Sequence, residues 1–436
     1  MASRPVVYVI ACCFNEARIL PFFLDHYIKY VGAAKVVLYD GGSTDGSAEI
    51  AGRYPEVLFK VERSEKLDDR ELMRIRNEEW KQFRNDCDWM IVCDVDEFLY
   101  CEDPARTLNE LKAAGVTLPE VEGYGMHSKA YPEYRPDAFL WQQAQTGIRE
   151  PKYNDKNLIF DPRVDINYNL GCHSCSPTGP VVRSNGKVFK NFHYSMLSYE
   201  AVLKKARNAE ARLSDWNLKV GAGFHYKLNA AMSRLDFNRL FFQAANAVLP
   251  VAPPAVVTPE MHAIARLLLE ADDDPFILEL GTSWVGGGSG STQFYAWFVH
   301  NYGGRFRSVH GSAESAEGAR LGLGTAMAKS GRTDFLTGSA SDIEMIDRHP
   351  WDVLHIGGGS GQGDDQEAAL QALNDFIRLE PQLAEGALVV TDTASAQIGN
   401  KGRSRYLAYY LLGRGFKPYA IGSATVFSQR ALVGNA

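Results

Sequence analysis

The chain has 436 residues, too many for one ordinary hydrophobic core, so two domains are expected. Its 45% hydrophobic and 23% charged content is that of a globular protein, and a formal charge of −7 argues against a general nucleic-acid binder. No apolar run approaches the ~18 residues that a bilayer span needs, and the first apolar run meets Asn15 and Glu16 rather than a small-residue cleavage site, which favours a cytoplasmic chain.

In chain order, VVYVIACCF reads as a buried strand, ILPFFLDHYIKYVG as an amphipathic helix closed by Gly32, and KVVLYD as a second strand. GGSTDGSAEIAGRY gives a glycine turn and an N-capped helix, and a charged helix follows over roughly residues 68–85. WMIVCDVDEF is then a third strand. This alternation builds a mostly parallel sheet whose ligands bind beyond the carboxyl ends of the strands, where Asp40 and Asp94 fall.

That third strand runs straight into Asp94, Asp96 and Glu97. Like charges this close repel, so a positive partner is expected among them. On a regular strand Asp94 and Asp96 would face the same side. Such a pair can offer oxygens to a hard divalent cation that also bridges phosphates and neutralises a diphosphate leaving group. A solvated turn is the other reading of an isolated Asp-x-Asp, which is a weak motif alone.

Seven cysteines lie between residues 12 and 175, an odd number with two adjacent, which suits reduced thiols. GCHSC (171–175) has a zinc-like spacing but lacks a second ligand pair. VLPVAPPAVVTPE (248–260), with four prolines, is a stiff connector. The domains expected are therefore 1–247 and 261–436, joined by 248–260. In the second, FILELGTSWVGGGSGSTQFYAWF gives strand, glycine-rich turn and helix. GRFRSVHGS, DFLTGSASDIEMI, WDVLHIGGG and GALVVTDTAS each supply a further strand.

The order ACCFNEARIL, LYDGGSTDGS, ELMRIRNEEW, DWMIVCDVDEFL, KNLIFDP, GCHS and FKNFHYSMLSYEAVLKKARN resembles family-2-like glycosyltransferases of the GT-A fold, over about residues 5–235. The resemblance implies a Rossmann-like domain binding a nucleoside-diphosphate sugar, with UDP as the nucleotide and a glycan as acceptor. It implies that Asp40 contacts uracil or ribose beside Asn15 and Glu16, that Asp45 supports their loop, and that Arg74 and Asn77 lie near the nucleotide. Asp94 would bind ribose or metal, Asp96 would ligate Mn²⁺ or Mg²⁺ directly, and His193 is either a third ligand or a core histidine. Lys156 and Arg74 are candidate diphosphate partners, and His173 lies at the acceptor side. The family's usual signature for the general base is missing. Asp155, Asp161 and Asp165 are the candidates, with Asp155 preferred, and inversion is expected on the resemblance alone.

The second half resembles class I S-adenosylmethionine-dependent methyltransferases over about residues 260–430, chiefly through Glu279-x-Gly281. Three strand ends depart from that pattern. His310-Gly311 replaces the ribose-binding acid, Gly338-Ser339-Ala340 replaces Gly-Asp-Ser, and Gly357 to Ser360 replace an Asp-x-Asp-His site, leaving Glu279 and Asp392. A catalytically silent methyltransferase-like module, without the methyl donor, is the expectation. Three functions follow: a metal-dependent glycosyltransferase, a bifunctional glycosyl and methyl transferase, or a non-catalytic glycan-binding scaffold. Peripheral membrane contact and homo-oligomerisation stay open.

Overall fold

A computed structural model describes residues 4–62, 64–240, 244–248, 259–270, 274–280, 290–323, 327, 330–339, 342, 350–357, 366–391, 405–421 and 424–429. The chain divides into two compact units, Met1–Val248 and Leu249–Ala436. The first unit holds β1 (Val7–Cys13), β2 (Lys35–Asp40), β3 (Val57–Val61), β4 (Trp89–Asp94), β5 (Glu97–Tyr100), β6 (Leu118–Ser128), β7 (Thr146–Arg149), β8 (Ile159–Phe160), β9 (Arg183–Leu197) and β10 (Ala245–Asn246).

One sheet runs β3-β2-β1-β4-β8, parallel except for β8. Its central strands are apolar throughout because both faces are covered. Val7, Val9 and Ala11 of β1 pack toward Phe23 and Tyr27, while Ile10 joins Val37, Ile75, Trp80 and Met90 on the opposite face. Fully burying a side chain of this size contributes roughly 1.5–3 kcal/mol. The second sheet, β10-β7-β6-β9-β5, is mixed, and only β6 and β9 in it run parallel.

Two expected elements are built differently. WMIVCDVDEF is not one strand. β4 stops at Asp94, Val95 and Asp96 form a turn, and β5 continues in the other sheet. The Asp94 amide donates to Glu97 Oε2 at 3.0 Å across that turn, so strand alternation does not relate Asp94 to Asp96. The first helix begins as an α-helix (Leu20–Asp25) and widens into a π-helical segment (His26–Val31) before Gly32, at φ 84°, ends it. From the widened segment His26 Nε2 donates to the Leu99 carbonyl at 3.0 Å and the Tyr27 hydroxyl to that of Glu97 at 2.9 Å. These bonds tie the helix to β5, beside the acids.

The second unit holds β11 (Phe276–Leu280), β12 (Arg305–His310), β13 (Thr333–Thr337), β14 (Trp351–Ile356), β15 (Leu383–Thr391), β16 (Lys417–Ile421) and β17 (Ala424–Ser428). They form one sheet, β13-β12-β11-β14-β15-β17-β16, with β17 antiparallel to both neighbours. This doubly wound order, closed by an antiparallel pair, is the methyltransferase-type α/β architecture expected from the sequence. The connector at 249–258, the glycine-rich turn at 281–289, Ala340, residues 358–363 and Asp392 lie outside the described residues.

Candidate active site

The carboxyl edge of the first sheet brings the site together through register. Cys13 pairs with Asp40 across β1 and β2, and Cys12 with Asp94 across β1 and β4, so three strand ends finish at one level. The loops that leave β1 and β2 are zipped to each other. Asn15, at φ 53°, accepts from the Thr44 amide at 2.8 Å and donates its own amide to Ser43 Oγ at 2.7 Å. Asp45 accepts from the Ala17 amide at 2.9 Å and from the Ser47 hydroxyl at 2.6 Å. Asp40 is buried and accepts from the Gly42 and Ser43 amides and the Ser43 hydroxyl, fixing its loop as an Asx turn does. Asp45 and Asp40 thus both hold these loops by hydrogen bonds.

Beyond the β4–β5 turn four acids and four basic groups interlock. Asp94 pairs with Arg76 and lies 3.9 Å from Lys156 Nζ. Lys156 donates to Glu97 Oε1 at 2.8 Å, with side chains only 4% and 1% exposed. Asp96 accepts from Lys205 Nζ at 2.8 Å and faces His193 Nε2 at 3.5 Å. Lys205 also donates to Glu16 Oε1 at 2.6 Å. His193 sits opposite Glu97 in the β5–β9 ladder, and its Nδ1 donates to Asn154 Oδ1 at 3.0 Å. Gly123 of β6 permits this packing, since a Cβ there would stand 2.0 Å from the Asn154 backbone.

Protonation follows from these pairs. Burial opposes the charge on Asp96, but Lys205 and His193 outweigh it and hold the carboxyl well below the usual range. Burial likewise opposes Asp94, and Arg76 and Lys156 prevail. Burial pulls Lys205 down, yet Asp96 and Glu16 hold it well above the ordinary lysine value. His193 is pulled down by burial and raised, on balance, by Asp96. For Glu16 burial wins and its carboxyl is pushed up. The positive partners that the crowded acids demanded are therefore side chains of the same chain.

That answer bears on the expected divalent cation. A Mn²⁺ or Mg²⁺ ion needs several ligand atoms converging on one point. Asp94 is turned to Arg76 and Lys156, and Asp96 to Lys205 and His193. Among the described residues no group of three His, Cys, Asp or Glu side chains is placed to hold a metal. Asp94, Asp96 and His193 as arranged do not fit the ion.

Several other expectations are corrected by bonding. Asp155, the preferred base, accepts from both Arg149 guanidinium nitrogens at 2.6 and 2.8 Å and from the Gly123 amide at 2.7 Å. Against the opposing effect of burial, these donors lower its pKa, the wrong direction for a base. Asn77 clamps the Tyr168 backbone through both its amide atoms, at 2.7 and 3.0 Å, which turns it to that loop. Arg74 is solvent-exposed and pairs with Glu71 and Glu79. Its neighbour Arg76 enters the site instead. His173 is exposed, with Nδ1 donating to the Tyr153 carbonyl at 2.8 Å. All seven cysteines are free; Cys172 receives Arg76 Nη1 at 3.6 Å while Cys175 turns to Asn157, so GCHSC makes no metal pair.

Arg76 and Lys205 were missed, and helical spacing carried a signal for both. Leu72, Ile75, Arg76 and Trp80 fall on one stripe of their helix and the tail that follows it, and Lys205 lies three residues after buried Val202.

In the second unit Glu279 of β11 is fully buried and accepts from Thr292 Oγ1 at 2.7 Å and Ser308 Oγ at 3.0 Å. His355 Nδ1 stands 3.8 Å away, and burial pushes the Glu279 carboxyl up. His310, at the end of β12, is buried between the hydroxyls of Ser308 and Ser315, at 3.0 and 3.1 Å.

Among solved structures the chain is similar to an O-methyltransferase from Bacillus cereus in complex with SAH, at 19% identity over 45% of this chain and 90% of that one, with a TM-score of 0.30. It is also similar to cofactor-bound Rv0187 from MTB, at 21% identity over 41% and 84%, with a TM-score of 0.29. Likeness at this level carries no argument about activity. No curated protein matches the chain. Residues 8–174, which include both zipped loops and the acids of the β4–β5 turn, match the model of glycosyl transferase family 2.

Proposed function

We propose that the first unit is a glycosyltransferase that takes a sugar from a nucleoside diphosphate, UDP by resemblance, and passes it to a glycan acceptor. The observation carrying this reading is the convergence of Asn15, Glu16, Asp40, Asp45, Asp94 and Asp96 on one sheet edge, inside the stretch that matches the family. Asn15, Asp40 and Asp45 set the shape of the nucleoside pocket, and Arg76, Lys156 and Lys205 supply charge for the diphosphate. The divalent ion is left out of this reading because its ligands are otherwise engaged. Free cysteines favour a cytoplasmic setting, and no helix among the described residues is long and apolar enough to cross a membrane.

For the second unit the reading is a methyltransferase-type module that does not bind the methyl donor. Glu279 is held by two hydroxyls inside the sheet, and His310 stands where the ribose-binding acid was expected. Calorimetry on the full chain tests both parts. UDP should bind saturably and S-adenosylmethionine should not. Saturable binding of S-adenosylmethionine would restore the bifunctional enzyme, and absence of UDP binding would leave the scaffold.

A further inference from the structure

Lys205 lies outside the stretch that matches the family, on the helix Tyr199–Arg212. That helix is capped by Ser198, whose hydroxyl accepts from the Ala201 amide at 3.4 Å, and Val202 and Ala206 bury its inner face. Its ammonium reaches back to the β4–β5 turn and to the residue that follows Asn15. There it bonds Asp96 Oδ2 at 2.8 Å and Glu16 Oε1 at 2.6 Å. An ammonium has three N–H donors. Two are directed to these carboxylates, and the side chain keeps 41% of its surface, so a third donor is left for a phosphate oxygen.

Resting on the glycosyltransferase reading, we infer that the Lys205 ammonium is the resident cation of the donor site, in the place of a divalent metal ion, and that the nucleoside diphosphate binds without metal. Three observations lead there. Glu16 and Asp96 converge on one nitrogen, as two carboxylates would on a metal. The other acids of the β4–β5 turn are already paired, Asp94 with Arg76 and Glu97 with Lys156. No third ligating side chain completes a coordination shell among the described residues. A lysine is a compact point charge and serves phosphate in that capacity. Because it is covalently part of the chain, it stays in the site whatever the metal concentration.

The test is calorimetric titration of UDP into the full chain, in EDTA and then in Mn²⁺. Wild-type affinity should agree between the two media within about threefold. Lys205→Met keeps the aliphatic stem and removes the charge, so it should lose about tenfold or more in EDTA. Mn²⁺ should restore that loss, because the vacated Glu16 and Asp96 oxygens then face an empty position. Lys205→Arg, which keeps the charge, should retain more affinity in EDTA than the Met variant. Circular dichroism melts show whether each variant folds, and the wild-type comparison decides the matter even if one does not. Wild-type binding in Mn²⁺ but not in EDTA would overturn the inference and leave the nucleotide site standing. So would a folded Lys205→Met chain that binds like wild type in EDTA. Absence of UDP binding in both media would overturn the glycosyltransferase reading along with it.

Discussion

The two units share the strand order 3-2-1-4 and treat a carboxylate near the central strands in opposite ways. In the first, Asp94 and Asp96 are kept ionised by Arg76 and Lys205, and Glu97 is paired with Lys156. In the second, Glu279 is held by the Thr292 and Ser308 hydroxyls with His355 Nδ1 3.8 Å away, and burial drives it toward the neutral acid. A charge at a strand end costs desolvation, and only an opposite charge compensates for it. The first unit bears that cost where a phosphorylated ligand would dock; the second avoids it. The difference lies in what the neighbouring elements deliver, since the sheet framework is common to both.

The strongest way to break the contrast is to remove one cation. Lys156→Met leaves the Glu97 carboxylate buried without its counter-ion, and the first unit should lose about 3–5 kcal/mol in urea titration. Adding Glu97→Gln should recover most of that, because the amide keeps an acceptor for the Asp94 amide without the charge. No recovery would mean that Lys156 acts through packing.

The matching change in the second unit should be mild. Glu279→Gln retains an oxygen for Thr292 and Ser308 and should cost under about 1 kcal/mol, whereas Glu279→Leu strands both hydroxyls and should cost about 1–3 kcal/mol. The sign of the pH effect follows from the upward shift. The contribution of Glu279 is complete below its unfolded value of 4.5 and fades as pH rises through the raised folded value. A Gln variant as costly as the Leu variant, measured by thermal melts of the second unit, would show that Glu279 is needed charged.

Part of this was legible in the sequence and part was not. The strands and the two-unit plan follow from local pattern, since hydrophobic runs and proline-rich breaks act over a few residues, whereas the loop role of Asp45 came only with the family resemblance. The second sheet of the first unit was not foreseen. β6 and β9 pair across some sixty intervening residues, and β5 reads as a continuation of β4 until the turn at Val95 and Asp96 is seen. Chain position alone favours Asp155 as the base, but its carboxylate belongs to Arg149, a partner fixed only when β7 is in position. Composition called for a cation among the acids and could not say that the chain supplied it.

A pH-dependent effect separates the histidines of the first unit. Burial lowers His26 to about 3 and His127 to about 4, so both stay neutral when folded. His193 is raised, with Asp96 outweighing burial. Below the unfolded value near 6.5, the unfolded chain takes up protons that His26 and His127 refuse. Each should then remove about 1.4 kcal/mol of stability per pH unit as pH falls. His193 works the other way, and its contribution is lost as pH rises through its folded value. Ring resonances followed by NMR check this directly: His26 and His127 should not move near pH 6.5, and a titration of either there would refute it.

The smallest effect makes the finest distinction. Arg74 and Arg76 are two residues apart on one helix, which sets their side chains about 200° apart around its axis. Arg74 lies exposed between Glu71 and Glu79, in pairs whose median worth is about 0–1 kcal/mol and which salt screens. Arg76 is buried against Asp94 and Cys172. Arg74→Gln should therefore shift stability by no more than about 0.5 kcal/mol and leave UDP affinity unchanged. Arg76→Gln should weaken UDP binding, because it uncovers Asp94 at the strand end and removes a fixed positive charge from the edge proposed to take the diphosphate. Titration of both variants under the same conditions separates the two roles. Equal losses would mean that the helix as a whole, rather than the inward position of Arg76, shapes the site.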